Sequence, residues 1–107
     1  MMFSFVETDL FSKLVDDYLT GEEYRQVQLA LIRNPQAGVV IRGSGGVRKL
    51  RWQVRGKGKR GGCRIISFVR HSEEVFWMLT IYPKNVRDTI PAHLLKKIRQ
   101  EIENEYK

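Results

Sequence analysis

The ten residues from Arg55 to Arg64, RGKGKRGGCR, hold five cations and four glycines with no acid among them. Glycines let a backbone approach a ligand closely, and cations neutralise phosphate. Read literally, Gly56-x-Gly58-x-x-Gly61 matches a dinucleotide-binding fingerprint. That fingerprint works only when it follows a strand and opens a helix, because the pyrophosphate rests on the helix N-terminus. Here Gly61-Gly62 runs into CRIISFV, which is strand material, and a Walker pattern is absent. Basic targeting signals lie in exposed tails, whereas this stretch lies between two apolar segments. It reads as the long tip of a β-hairpin that grips a polyanion; a solvated tip with no ligand is the plain alternative.

The charge around it points the same way. Residues 1–23 carry one cation and six anions, residues 24–72 carry twelve cations and no acid, and residues 73–107 carry six of each. The entire excess of +7 therefore sits in the middle block. Solvated faces usually interleave both signs, so 49 residues without an acid mark a surface for polyanions, of which RNA and DNA are the commonest.

The elements that must position these cations follow from hydrophobic period. Met2 to Val6 reads as a short first strand. Thr8 or Asp9 caps a helix whose apolar residues Leu10, Phe11, Leu14, Val15, Tyr18 and Leu19 recur at helical spacing. Thr20-Gly-Glu-Glu23 is a capping box that opens a second helix, and Asn34-Pro35 ends it near Arg33. The period then changes to two. Val47 to Val54 puts Leu50, Trp52 and Val54 on one face and Lys49, Arg51 and Gln53 on the other. Cys63–Arg70 and Val75–Tyr82 are two more strands joined by His71–Glu74, and Pro91 starts a last helix with Leu94, Leu95, Ile98, Ile102 and Tyr106 as its stripe. The order β-α-α-β-β-β-α predicts an α+β fold. Its small antiparallel or mixed sheet is packed by helices on one face, with the other face polar and open.

Composition bounds the rest. A chain of 107 residues makes one domain, spanning 1–107, with enough apolar and aromatic residues for a core. Its single cysteine, Cys63, excludes an internal disulfide and a cysteine-based zinc site, and fits a reducing compartment. The start of the chain carries acids and no basic-then-apolar leader, and the apolar run VFWMLTIY is too short to span a bilayer. A cytoplasmic protein without membrane contact is the expectation.

With these segments in order, the chain resembles the toxins of the RelE/HigB superfamily of bacterial type II toxin–antitoxin modules, most closely the HigB-type branch. The residues that carry the resemblance are GSGGVRKLRW (Gly43–Trp52), GKGKRGGCRIISF (Gly56–Phe68) and LTIYPKN (Leu79–Asn85). It implies a microbial-ribonuclease-like sheet and cleavage of messenger RNA in the ribosomal A site. It also implies a cognate antitoxin, DNA-binding and HigA-like, through which alone operator DNA is bound. No cofactor is expected.

Attack of a ribose 2′-OH on its own phosphate needs a base, cations on the phosphorane and an acid for the departing oxygen. No metal is expected in that scheme. His71 and His93 read as surface histidines, and Glu73-Glu74 as a turn feature. Crowded cations disfavour one another's charge, so Lys57, Lys59 and Lys49 are candidates for the base. Arg64 stands where the resemblance implies the phosphate-stabilising arginine, and Arg60 and Arg51 add planar donors. Lys84 matches a family position beside the reacting phosphate, and Tyr82 is a candidate for stacking on a base or for a weak acid. Trp52 and Trp77 read as core. The chain departs from superfamily members that use His or a carboxylate, which suits an enzyme whose substrate the ribosome orients. The competing class is a non-catalytic basic RNA-binding protein.

Overall fold

A computed structural model describes residues 3–53, 62–86 and 90–105. In chain order the elements are β1 (Ser4–Glu7), α1 (Asp9–Tyr18), α2 (Gly21–Arg33), β2 (Val39–Val40), β3 (Arg48–Trp52), β4 (Cys63–Arg70), a 3-10 turn (His71–Glu73), β5 (Val75–Pro83) and α3 (Ala92–Glu105). The strands form a five-stranded sheet in the order β1-β5-β4-β3-β2. β1 lies parallel to β5, and the other neighbours are antiparallel. The sheet is therefore mixed. Among the described residues no helix is long and apolar enough to cross a membrane.

Local chemistry starts both early helices. The Thr8 side chain accepts from the Phe11 N–H at 3.1 Å, and Thr20 forms the reciprocal box with Glu23, at 3.1 Å and 2.8 Å. The tight connection after β4 closes on Glu74, the one non-glycine residue with positive φ (+54°) among those described.

The two faces of the sheet hold separate cores. Phe11, Val15 and Leu19 of α1 and Val27 and Leu31 of α2 pack on Cys63, Ile65, Phe76, Met78 and Ile81. On the opposite face Leu95 and Ile102 of α3 pack on Val47, Ile66, Phe68, Leu79 and Tyr82. The expectation of one open face is corrected here, since α3 covers part of it. One ion pair among the described residues ties α3 to the sheet: Arg70, at the end of β4, reaches Glu103 at 4.0 Å, with Arg99 meeting Glu103 within the helix at 2.9 Å and Glu73 meeting Arg70 at 3.0 Å. Helical spacing was only a guide to burial: Leu10 and Leu94 are 46% and 42% exposed.

One irregularity decides which side chains share a face. The β4–β5 register shifts between Ile66 and Ser67: Ile66 is level with Thr80, whereas Ser67 is level with Met78. Leu79 has no partner in β4, which is a β-bulge. Before it, Phe76 and Met78 enter the α1/α2 core; after it, Ile81 does, and Tyr82 joins the α3 core. Thr8 locks this point. Its N–H donates to the Met78 carbonyl at 3.1 Å, and its hydroxyl donates to the Leu79 carbonyl at 2.7 Å.

Candidate nucleic-acid interface

The alternation foreseen for β3 holds. Leu50 and Trp52 pack against the α1/α2 core, while Val47, two residues before Lys49, belongs to the α3 core. Lys49 and Arg51 thus point to the face that carries α3. In β4, Arg64 is level with Arg51 on one side and, because of the bulge, with Tyr82 on the other. Arg51, Arg64 and Tyr82 form one row across three strands, and Lys49, Ile66 and Thr80 form the next.

Gly62 brings Lys84 to this row. It lies at φ +87°, and a Cβ there would stand 2.0 Å from the Trp52 carbonyl oxygen, so the chain must pass the end of β3 as glycine. The Gly62 carbonyl accepts the backbone N–H of Lys84 at 3.3 Å. This contact fixes the turn after β5 against the start of β4. The product is a groove of about 180 Å³ lined by Arg51, Trp52, Gln53, Arg64 and Lys84.

The groove is cationic. Arg64 is half-buried and donates to the Cys63 carbonyl at 3.2 Å, which holds the guanidinium by one edge and leaves other donors for a ligand. Arg51 and Lys84 are exposed. Among the described residues no carboxylate pairs with Arg51, Arg64 or Lys84. Three cations brought together without a counter-charge make an anion site, and two guanidinium groups suit the planar donors of a phosphate.

The expected site residues divide accordingly. Arg51, Arg64 and Lys84 meet in one groove, and Lys49 lies in the adjoining row. Lys57, Lys59 and Arg60 lie outside the described residues. Tyr82 is only 6% exposed and packs in the α3 core. Trp52 is half-buried against the α1/α2 core yet lines the groove; Trp77 packs on the α3 core. His71 and His93 are exposed and line no part of the groove. Glu73 bonds Arg70, whose guanidinium holds its carboxyl below the usual range. Cys63, buried on the reverse face next to Arg64, has its thiol pushed up to about 11 by burial, with Arg64 pulling the other way and Glu23 adding to the rise. It stays protonated at neutral pH and is no nucleophile.

Reasoning from the sequence missed a second concavity on this face. A cleft of about 460 Å³ lies between the sheet, the segment before β3 and the start of α3, lined by Ile41, Arg42, Ile66, Thr80, Tyr82, Ile90, Pro91, Ala92 and Leu95. The one available signal was Thr80, a polar residue inside the apolar run VFWMLTIY.

An α+β protein with a mixed sheet and a cationic groove at the sheet's end is the class these features define. Residues 30–106 match the family described as the RelE toxin of the RelE/RelB toxin–antitoxin system. The chain belongs to the RelE toxin family. Its fold is similar to that of a double arginine-to-alanine mutant of the E. coli toxin RelE in the free state, with a TM-score of 0.63 at 13% identity. That likeness covers 92% of this chain and 98% of the other, and at this identity it speaks for the fold. Membership of a toxin–antitoxin family implies an antitoxin partner.

Proposed function

We propose that this protein is a ribosome-dependent messenger-RNA endonuclease, a single 1–107 domain that halts translation in the cytoplasm. The observation that carries the reading is the convergence of Arg51, Arg64 and Lys84 in one groove without a paired carboxylate among the described residues. The scissile phosphate lies in that groove. The 2′-OH of the preceding ribose attacks phosphorus, the P–O5′ bond breaks, and a 2′,3′-cyclic phosphate and a 5′-hydroxyl end form. Arg64 stabilises the charge that builds on the phosphorane, where a preorganised donor is worth most. Arg51 and Lys84 flank it. A lysine, Lys57, Lys59 or Lys49, takes the 2′ proton, and Lys84 gives one to the leaving oxygen. The step needs no metal.

The described lining holds no histidine or carboxylate, which suits an enzyme that leaves the alignment of its substrate to the ribosome. The reading includes a HigB-like toxin whose antitoxin is HigA-like and carries the operator-binding activity of the complex.

The test is brief induction of wild type and Arg64→Ala in a bacterial host, with mapping of messenger-RNA ends and added chelator in a lysate assay. Arg64→Ala is expected to lower cleavage within translated messages by about 10²- to 10³-fold, and chelator to leave wild-type cleavage intact. Growth arrest with uncut messages would sink the nuclease and leave a basic protein that binds RNA without cutting it.

A further inference from the structure

We infer that the 460 Å³ cleft under the start of α3 is a nucleobase subsite. It takes one unstacked base of the RNA strand whose phosphate lies in the Arg51–Arg64–Lys84 groove. The inference rests on the nuclease reading for its substrate, and on separate observations for the site.

Three features of the cleft support it. Its lining includes the apolar side chains of Ile41, Ile66, Ile90 and Leu95, and its volume is within the ~300–1,000 Å³ of small-ligand sites. Thr80 supplies the second feature: it is 3% exposed, lines the cleft and makes no side-chain hydrogen bond to any described residue. The hydroxyl opens to the cleft, where solvent meets it, and a base edge presents the donors and acceptors that can take the place of that water. The third feature is position. Tyr82 is level with Arg64 in the sheet and lines the cleft, while Thr80 lies two residues along β5, about 7 Å away. A phosphate on Arg64 and a base against Thr80 are then parts of one nucleotide or of direct neighbours. Arg42 stands at the exposed rim, where its guanidinium faces the base edge or the next phosphate.

This is how proteins read single-stranded RNA: an unstacked base enters an apolar slot and its edge is hydrogen-bonded. Thr80 is a specificity residue in this scheme, because a base that closes the cleft removes water from the hydroxyl and must then supply its hydrogen-bond partner.

The experiment is an NMR titration of the full chain with inorganic phosphate, each of the four ribonucleoside 5′-monophosphates, and 2′-deoxy dinucleotides that lack the attacking hydroxyl. It needs neither ribosome nor catalysis, so it stands if the nuclease reading falls. Phosphate should shift the amides of Arg51, Arg64 and Lys84 alone. Nucleotides should add shifts at Ile66, Thr80 and Leu95, with dinucleotides binding more tightly than monophosphates. Thr80→Val, which keeps shape and removes the hydroxyl, should weaken the best nucleotide about tenfold, leaving phosphate binding unchanged. Ala92→Phe, which fills the cleft from its rim, should abolish the added shifts. Nucleotides that perturb no more than phosphate does would overturn the subsite. Monophosphates binding more tightly than dinucleotides would overturn the assignment to an RNA strand.

Discussion

Gly62 is the point where fold and site depend on one missing side chain. Its φ of +87° disfavours any L residue, and its Cβ position lies 2.0 Å from the Trp52 carbonyl oxygen and 2.9 Å from the carbonyl carbon. Gly43 has a similar φ of +79°, yet a Cβ there would meet only the Ala92 Cβ, at 3.7 Å. Gly43→Ala should therefore show the backbone term alone, about 1–2 kcal/mol. Gly62→Ala carries that term and must also push β3 from β4 where Trp52 is level with Cys63. Loss of one or two hydrogen bonds at that neck adds about 1–3 kcal/mol, for a total of about 2–5 kcal/mol. Because Gly62 also holds the Lys84 N–H, the push displaces Lys84 from Arg64. Urea unfolding of both variants measures the difference, and phosphate titration reads the groove in whatever remains folded. Equal destabilisation by the two substitutions, or normal phosphate binding by Gly62→Ala, would refute the argument from close approach.

Three further outcomes follow from named contacts. Thr8→Val removes a helix cap and the hydroxyl on the Leu79 carbonyl, and should cost about 2–3 kcal/mol in urea unfolding, whereas Thr8→Ser should stay within about 1 kcal/mol. A loss below about 1 kcal/mol for Thr8→Val would mean that the bulge does not need the cap. Arg64→Lys keeps the charge and loses the planar fork, so cleavage should fall by at least about tenfold while salt-dependent RNA binding changes little; full activity would show that only charge matters there. Burial pushes the Cys63 thiol to about 11, so the folded state disfavours the thiolate. Its contribution to stability is complete below about pH 9 and is lost as pH rises from there through about 11. Cys63→Ala should flatten that alkaline limb, and a thiol reagent at pH 8 should label the native protein far more slowly than the protein in urea.

Much of the fold was legible because it is written locally. The cap at Thr8, the box at Thr20–Glu23 and the stop at Asn34-Pro35 each involve residues within a turn of one another. They mark α1 and α2 to within a residue or two. β4 spans Cys63–Arg70 as its composition says, and the alternation of β3 separates Lys49 and Arg51 from Leu50 and Trp52. β2 escaped because two exposed valines have no period to read; they become a strand only by pairing with Arg48 and Lys49. Leu10 and Leu94 follow helical spacing but are exposed, because burial needs an opposing surface and spacing only offers a face to one.

The site divides along the same line. Residue types and charge alone showed that the cations without acids gather in the middle of this chain, and that Arg51 and Arg64 precede and follow a hairpin. Tertiary structure decided which side chains converge. Strict alternation through VFWMLTIY would put Tyr82 on the face of Phe76 and Met78; the bulge at Leu79 reverses that phase and sets Tyr82 level with Arg64 on the other face. Lys84 reaches the groove through a carbonyl twenty-two residues earlier, and the cleft at Thr80 exists only because α3 lies over that face. Sequence carries what neighbours along the chain impose on one another. The register between strands and the docking of a helix come from contacts between distant segments, and those contacts brought the cations, and the cleft beside them, together.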